Sequence, residues 1–456
     1  MSSKLSAKLL VLALLVVALP HVASASSARV EGLGLQNDYV MDYTNVFVYP
    51  SLVGQYQNLV YGDLGRKDVT GGTLSDFQDN NQANTNDANR AMGAILGNLW
   101  GGKAGVWSLH FNENATPMSS ALGAQYFNRN ANEALDLIWG YKFQKMSLGI
   151  TLNKSYSSEE LQNGTIIIRP FTPGGSVTTV TQFNTRQFYN TIASAVGSQD
   201  WNSTGVGAGA SFDLGGSDKP TTLDVSGQLR WLTMEQSDTT NATKFEDQGG
   251  VSYAVNARLH WGKSEDFHLM PVVNYYHLDL GAKFSDRTAT NNQSFDRTAM
   301  GFAGALVGSW KLRDSDWFWL GANYEMSKID LEGVGGPIND PVTGQQISDG
   351  GHVEVNYQNA PGIFGALESN LWPWFSVRLG AGKPLFSTLK ITDKDTPELE
   401  TKYKDSPLQY SVGVGFHFAK IDIDALVNQD FAFTGGYLAS GNTETPFSKL
   451  SATYRW

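Results

Sequence analysis

Residues 408–428 read LQYSVGVGFHF, AK and IDIDALVN in turn, and their pattern indicates the architecture of the whole chain. In residues 408–418 every even position is apolar, while the odd positions carry Gln, Ser, Gly and His. The dipeptide Ala419-Lys420 then separates this run from a second alternating run, 421–428. A period of two is typical of a β-strand with one apolar and one polar face. The stretch therefore predicts two antiparallel strands joined by a tight turn.

The same alternation recurs throughout the chain, for example at 146–153, 205–214, 222–232 and 251–261. Each run has about ten residues, which is the length that a tilted strand needs to cross a bilayer. A soluble β-sandwich also alternates, but strands of about five or six residues suffice for it. The run length favours a membrane barrel, with the soluble sandwich as the alternative.

Connection lengths also alternate along the chain. Short turns are predicted at 101–103, around Lys145, and at 215–219, 263–265, 314–315, 372–373 and 419–420. Long polar loops are predicted at 66–90, 113–133, 155–202, 233–249, 285–298, 332–357, 392–406 and 430–446. Outer-membrane barrels have short periplasmic turns and long extracellular loops. We therefore predict an all-β transmembrane antiparallel β-barrel of about 16 strands (14–18), running from 58–65 to 447–456 within a barrel domain 59–456.

The N-terminus and the composition indicate the compartment. Residues 1–25 have a basic start, an apolar run and a small-residue cleavage site, which together predict a signal peptide. The chain has no cysteine, and its net charge of −11 argues against a nucleic-acid partner. We expect export to the outer membrane of a Gram-negative bacterium, with outer-membrane lipid as a partner.

Tryptophans lie beside the predicted short turns and the C-terminal end, where amphipathic rings collect at a membrane interface. The residues that share this placement are Trp100, Trp107, Trp261, Trp310, Trp317, Trp319, Trp372, Trp374 and Trp456. We interpret them as a periplasmic aromatic girdle.

The chain ends on LSATYRW, in which Leu450, Ala452, Tyr454 and Trp456 form the apolar face of a closing strand. This ending resembles the C-terminal signature of bacterial outer-membrane barrels, with Trp456 in place of the commoner phenylalanine. The resemblance implies that the barrel-assembly machinery reads these residues during biogenesis.

Parity predicts which charged side chains face the lumen, because a charge facing lipid is costly. The predicted pore-lining residues are Lys142, Asp213, Asp224, Arg230, Arg258, His260, Lys311, Arg313, Glu325, Glu368, Arg378, His417, Asp422 and Asp424. Both signs occur in similar number, so the pattern indicates no ion preference. A closed sheet of about sixteen strands leaves an aqueous channel. No nucleophile elbow or metal-ligand spacing is apparent, so we predict neither an enzyme nor a cofactor.

The third outer loop, 155–202, is the longest and contains TIIIRPFTPGGSV at 165–177. In strand count and loop rank the chain resembles sixteen-stranded porins, whose third loop folds into the channel. This resemblance implies a constriction with Arg169 and Arg186 as candidates, and an ordinary surface flap is the alternative.

Residues 26–58 precede the first strand and form either a periplasmic tether or a small hatch. Within them, DYTNVFVYPSLV at 42–53 resembles the N-terminal region of the outer-membrane long-chain fatty acid transporters, whose N-terminus plugs the barrel. If residues 26–58 are a hatch, we expect their acidic side chains to pair with lumen cations near the periplasmic mouth. The acids are Glu31, Asp38 and Asp42, and the cations are Arg258, Lys311, Arg313 and Arg378.

These features predict a porin-like channel for passive diffusion of small solutes, narrowed by the third outer loop. The alternatives are a plugged transporter of hydrophobic compounds, resembling the fatty acid transporters, and a structural or adhesive surface barrel. The sequence leaves the solute open and leaves open whether the protein is a monomer or a homotrimer.

Overall fold

The structure is a computed structural model that describes residues 26–66, 88–97, 99–112, 133–161, 197–215, 221–238, 243–247, 250–264, 266–286, 293–334, 338–339, 346–348, 351–395, 400–406, 408–427 and 446–456. The predicted signal peptide, 1–25, and most of the predicted third outer loop lie outside these ranges.

Sixteen antiparallel strands form one closed sheet. In chain order they are β1 Leu59–Arg66, β2 Ala88–Leu96, β3 Val106–Asn112, β4 Glu133–Lys142, β5 Met146–Leu161, β6 Gly197–Asp213, β7 Thr221–Asp238, β8 Thr243–Asp247 with Gly250–Ser264, β9 Phe267–Asp286, β10 Gln293–Arg313, β11 Asp316–Val334, β12 Gly351–Trp372, β13 Phe375–Pro384 with Ser387–Asp393, β14 Glu400–Asp405 with Gln409–Phe418, β15 Ile421–Val427 and β16 Phe447–Arg455. A separate short hairpin, Ile338–Asn339 and Gln346–Ser348, lies between β11 and β12 in the chain.

The first and last strands close the barrel. Leu59 of β1 lies opposite Arg455 of β16, and the pairing continues to Gly65 opposite Lys449. The other edge of β1 pairs with β2. Closure removes the free edges, whose unpaired backbone groups would be costly in lipid. The predicted all-β transmembrane antiparallel barrel is confirmed.

The buried face of the sheet is the polar one. On β16, Ser451 and Thr453 are 1% and 2% exposed, whereas Leu450 and Tyr454 are each 40% exposed. A soluble sandwich has the reverse arrangement, with its apolar faces packed together. An exposed apolar face over a polar interior is what lipid requires, and it excludes the sandwich alternative. Within the described ranges, no helix is both long enough and apolar enough to cross a bilayer.

Several strands are about twice as long as the alternating runs of about ten residues in the sequence. β9, β10 and β12 have 20, 21 and 22 residues. In the outer parts of β9 and β12 the outward face is polar, as at Asp279 and Asn356, while the neighbouring Leu278 and Tyr357 are buried on the inner face. The third outer loop is therefore shorter than the predicted 155–202, because β5 continues to Leu161 and β6 begins at Gly197.

Two of the predicted girdle tryptophans face the interior. Trp319 is 5% exposed and belongs to the buried cluster that includes Leu33, and Trp317 packs against the same cluster. Trp319 lies opposite Ala366, which is buried inside the barrel, so the two side chains share the inner face. The girdle prediction is wrong for these two residues because closeness to a turn does not determine parity. At the β12–β13 turn, by contrast, Trp372 and Trp374 are 54% and 48% exposed, and their rings stack with centroids 5.7 Å apart.

The described helices are short. They are α1 Ser27–Gly32, followed by the 3-10 helices Asn37–Tyr39, Tyr43–Phe47 and Pro50–Gln55, with a further 3-10 helix, Leu99–Gly102, between β2 and β3. The hydrophobic clusters of the molecule form where the first four of these helices meet the inner wall of the barrel.

Candidate functional site inside the barrel

Local capping signals fold residues 26–58, which we call the N-terminal segment. The Ser26 hydroxyl accepts a hydrogen bond from the Arg29 backbone N–H at 3.2 Å and begins α1. Gly34 follows the helix with φ of +61°, a conformation that glycine adopts at little cost. Asp42 and Asn45 form a reciprocal capping box at the start of the second 3-10 helix. These signals favour a compact chain of short helices over an extended tether.

The N-terminal segment lies inside the barrel. The Gln228 side chain of β7 donates to the carbonyl oxygen of Phe47 at 2.7 Å. On the opposite wall, the Ser411 hydroxyl of β14 donates to the carbonyl oxygen of Gly32 at 3.1 Å. Around the ring, six strands lie between β7 and β14 in one direction and eight in the other. A segment that contacts both of these strands therefore crosses the lumen.

A buried cluster of charges joins α1 to β12, β13 and β15. The Arg29 guanidinium donates to both carboxylate oxygens of Glu368, at 2.8 and 2.5 Å, and Arg378 Nε donates to the same carboxylate at 2.7 Å. Arg378 Nη1 lies 2.6 Å from Asp424, whose other oxygen accepts from the Ser26 hydroxyl at 2.6 Å. None of the four charged residues is more than 6% exposed. Because each buried charge has a partner, removing one leaves another uncompensated in the interior.

A second buried cation, Arg258 of β8, holds the middle of the N-terminal segment. Its guanidinium donates to Asp224 at 2.8 and 3.1 Å, to the carbonyl oxygen of Asp38 at 3.1 Å and to Asn45 Oδ1 at 3.0 Å. The guanidinium carbon also lies 4.7 Å from the centre of the Tyr49 ring. Charge-assisted hydrogen bonds and a cation–π contact therefore act at one side chain.

Two sectors of the inner wall are apolar. In the first, the Tyr39 ring stacks on Phe364 of β12 with centroids 5.0 Å apart. In the second, Phe47 packs edge-on against His110 at 4.6 Å. The first sector comprises Met270, Val272, Val307, Trp319, Phe364 and Ala366 against Leu33, Leu35, Tyr39 and Val40; the second comprises Leu59, Tyr61, Ile95, Val106 and Ile138 against Tyr43, Val46, Phe47 and Val53. Burial of this apolar surface stabilises the segment in the lumen.

At two wall positions the N-terminal segment comes so close that only glycine fits. A methyl group on Gly380 of β13 would overlap the carbonyl oxygen of Leu33. One on Gly149 of β5 would overlap the backbone of Pro50. These glycines allow backbone to pack directly on backbone.

Two carboxyl groups of the N-terminal segment are fully buried. Burial raises the pKa of Asp38 to about 7, although a hydrogen bond from Asn274 and the charge of Arg258 oppose the shift. Burial raises the pKa of Asp42 to about 6, opposed by Arg29 at 4.0 Å. Both values exceed the ordinary 3.8, so the docked position favours the protonated carboxyls. Docking of the segment should therefore weaken as pH rises from about 4 to 7.

The predicted pore-lining residues fall into two groups by depth. The buried ones are Asp224, Arg230, Arg258, Glu325, Glu368, Arg378, His417 and Asp424. Those nearer the short turns, half-buried or exposed, are Lys142, Asp213, His260, Lys311, Arg313 and Asp422. Arg258, Glu368 and Asp424 contact the N-terminal segment directly. The buried group thus includes the attachment points of this segment.

The predicted pairings of acids with lumen cations are wrong in their partners. Glu31 pairs with Lys449 of β16, and Asp42 lies near Arg29 of its own segment. For Asp38 the prediction is met in part: its backbone oxygen accepts a hydrogen bond from Arg258, and the charge of Arg258 acts on its carboxyl without a salt bridge. Lys311 and Arg313 pair with acids of their own turn, at Asp314 and Asp316.

The residue that sequence reasoning missed is Arg29. It supplies a cation to a carboxylate of the wall, the reverse of the expected polarity. The available signal was a lone arginine in 26–35, a stretch that is otherwise small or apolar apart from Glu31.

Near the mouth, Ser376, His417 and Asp422 form a hydrogen-bonded chain. Ser376 Oγ lies 3.1 Å from His417 Nε2, and His417 Nδ1 lies 2.8 Å from Asp422. The order of groups is that of a serine hydrolase. Ser376 is, however, 0% exposed, and its hydroxyl packs over Gly415, so a substrate carbonyl has no approach to the oxygen. We interpret this hydrogen-bonded series of three side chains as polar packing of the barrel wall. Within the described part of the chain, no His, Asp or Glu cluster has the arrangement of a metal site.

Beside Phe47 the wall has a small recess, which Arg230 lines. Its lining also includes Asp136, Asn153 and Gln228, and Asn153 donates to Asp136 at 2.6 Å. This recess is polar, unlike the two apolar sectors. The constriction candidates Arg169 and Arg186 lie outside the described residues, so their role stays a prediction.

No protein-family profile and no curated protein matches the chain. Among solved structures it is similar to a mutant of TodX, titled a monoaromatic hydrocarbon channel, with 9% identity over 95% of this chain and 99% of that chain, at a TM-score of 0.42. It is also similar to the Ralstonia pickettii toluene transporter TbuX, with 10% identity over 95% and 99% of the chains and a TM-score of 0.39. A Pseudomonas aeruginosa FadL homologue matches with 11% identity over 95% and 99%, at 0.36. Likenesses at these scores carry no argument about the function of this chain.

Proposed function

We propose that the protein is an outer-membrane transporter of small hydrophobic compounds, closed at rest by its N-terminal segment. The observation that carries this proposal is the pair of apolar sectors on the inner wall. Met270, Val272 and Phe364 point into the lumen, and among the described residues it is the N-terminal segment that covers them. If the segment moves away, this wall offers a surface for an apolar compound rather than for a hydrated solute.

An open diffusion pore is less compatible with these contacts. A water-filled barrel has a polar interior. Here the Arg29–Glu368 pair and the apolar sectors fix the N-terminal segment across the lumen, with further contacts to β6 and β16. The membrane location rests on the exposed apolar outer face, and the predicted signal peptide supports the outer membrane.

Single-channel conductance in planar bilayers tests the closure. We expect the mature chain to be nearly silent and a variant lacking residues 26–50 to conduct. As a control, a variant lacking 165–196 should remain silent. A conductance already present in the intact chain, and raised only by the second deletion, would instead favour the porin with a third-loop constriction at Arg169 and Arg186.

Uptake measurements test the substrate class. Cells that express the intact chain should take up toluene faster than cells with the empty vector, with no gain for a pentose sugar. An equal gain for both compounds, together with steady conductance, would support passive diffusion of small solutes and overturn the proposal.

A further inference from the structure

Ser26 is the first residue after the predicted signal-peptide cleavage site, and it is buried in the lumen. It is 0% exposed, and its hydroxyl donates to Asp424 Oδ2 of β15 at 2.6 Å. Its backbone nitrogen is bonded to the same Cα as this short side chain and so lies within about 6 Å of that carboxylate. The N-terminus that cleavage leaves is therefore inside the barrel, close to a buried acid.

Cleavage changes the charge at this position. In the uncleaved chain the Ser26 nitrogen is an uncharged amide. Hydrolysis of the Ala25–Ser26 peptide bond by water leaves a carboxylate on Ala25 of the released peptide and an α-amine on Ser26. An α-amine ordinarily keeps its extra proton up to about pH 8. Removal of the signal peptide therefore introduces a positive charge at the start of α1.

The charged side chains around α1 include more carboxylates than cations. In the described part of the chain, the carboxylates are Glu31, Asp42, Asp63, Glu368 and Asp424, and the cations are Arg29, Arg378 and Lys449. Each cation is already engaged, since Glu31 pairs with Lys449 and Glu368 pairs with both arginines. Carboxylates remain in excess even when Asp42 is protonated. A further cation at this place would be stabilised by acids, whereas an unpaired cation in the interior is costly.

One of these acids, Asp63 of β1, has a carboxylate oxygen without a hydrogen-bond donor. Asp63 is 6% exposed, and the Ser27 hydroxyl donates to its Oδ2 at 2.7 Å, whereas its Oδ1 is buried without a partner. Lys449 attracts this carboxylate, but it forms its ion pair with Glu31. A buried acceptor without a donor costs free energy. Because Ser26 bonds Asp424 and Ser27 bonds Asp63, the N-terminal nitrogen lies between two buried carboxylates.

We propose that the α-ammonium of Ser26, formed when the signal peptide is removed, is held by Asp424 and Asp63 and completes the docking of α1. Charge-assisted hydrogen bonds from an ammonium to two carboxylates would hold the first residue of the segment against β15 and β1. Processing of the N-terminus is then a condition for a tightly closed barrel. This inference rests on the predicted cleavage site and on the closure in the proposed function, but not on transport.

The first test compares refolded chains that differ only at the N-terminus. One begins at Ser26 with a free amine, a second has this amine acetylated, and a third has an added glycine that keeps a free amine. Acetylation in urea at about pH 6.5 selects the α-amine, because lysine amines hold their protons more strongly. In planar bilayers we expect an open fraction at least about tenfold higher for the acetylated chain than for the other two. Equal opening of the acetylated and the glycine-extended chains would show an effect of size and would overturn the proposal.

The carboxylate partner is tested by combining acetylation with substitution. In a chain with Asp63→Asn, acetylation should raise the open fraction at least about threefold less than in the parent chain, because one partner of the ammonium is already neutral. The matched control, Asp213→Asn, neutralises an exposed acid near a short turn and should leave the full effect of acetylation. Heat-dependent gel mobility shows that each chain is folded. An effect of acetylation that is the same in both variants would remove Asp63 from the contact and overturn the proposal.

Reactivity of the Ser26 amine tests its burial in the unsubstituted chain. With an acetylating succinimide ester, this amine should react at least about 100-fold more slowly in the folded chain than in urea, as measured by mass spectrometry of the N-terminal peptide. The exposed Lys103 and Lys420 provide the reference for reagent access in the folded chain. A silent chain whose Ser26 amine reacts as fast as these lysines would overturn the ammonium contact and leave the closure standing. A protected amine in a chain that already conducts would instead contradict the proposed function, so the two failures are distinguishable.

Discussion

The two ends of the N-terminal segment are held in the lumen by different physics. At α1, Arg29 is fixed by a carboxylate that it shares with Arg378. At the second 3-10 helix, Phe47 is fixed by packing against an apolar sector. A charge contact in the interior requires its particular partner, since an unpaired charge cannot remain there. An apolar contact is graded and accepts any apolar group of suitable shape. Under the proposed function, the second region is therefore where a hydrophobic compound would replace the segment.

The largest expected effect is the loss of the charge contact. Arg29→Ala leaves Glu368 and Asp42 buried with fewer partners, and breaking a buried pair costs about 3–5 kcal/mol. We expect the open fraction in planar bilayers to rise by at least about 100-fold. Arg29→Lys should recover only a small part of the closure, because an ammonium cannot span both oxygens of Glu368. If the Arg29→Ala variant conducts as little as the parent chain in planar bilayers, Arg29 does not contribute to closing the barrel.

A graded series at Phe47 tests the apolar contact. Phe47→Ala should weaken docking of the segment by about 3 kcal/mol, and the roughly volume-conserving Phe47→Leu by less than about 1.5 kcal/mol. Protease protection of residues 26–58 in detergent measures both changes. If Phe47→Leu weakens docking as much as Phe47→Ala does, the contact does not depend gradually on apolar volume. Phe47 would then not differ from Arg29 in this respect.

A change of pH between about 4 and 7 tests the two buried carboxyls of the N-terminal segment. The raised pKa values of Asp38, about 7, and Asp42, about 6, mean that docking is strongest when both carboxyls are protonated. Docking should weaken as pH rises through these values, and the open fraction should increase. Asp38→Asn should remove the part of this dependence that extends up to about pH 7 and keep a hydrogen bond with Asn274. If the open fraction of this variant depends on pH as it does in the parent chain, protonation of Asp38 does not contribute to docking of the N-terminal segment.

The strand pattern can be predicted from the sequence because the residues that face lipid, every second one along a membrane-spanning strand, must be apolar. The alternation in residues 408–418 and 421–428 identifies β14 and β15, and the same rule identifies closure by 447–456. It also assigns Arg258, Glu368 and Asp424 to the inner face, because a charge on the outer face of the belt would be costly. Strand length is underestimated where β10 and β12 extend beyond the belt, since lipid no longer selects an apolar outer face there.

The barrel, its strand number, its direction of alternation and the location of its turns can all be read from the amino-acid order. These properties follow from local periodicity, because lipid requires apolar residues on the outer face of each strand. How the lumen is used depends instead on contacts between distant parts of the chain. Arg29 meets Glu368 across 339 positions of sequence, and Leu33 meets Gly380 across a similar gap. Partners so distant in sequence are selected by which walls the closed barrel brings to the N-terminal segment, and periodicity contains no information about that choice.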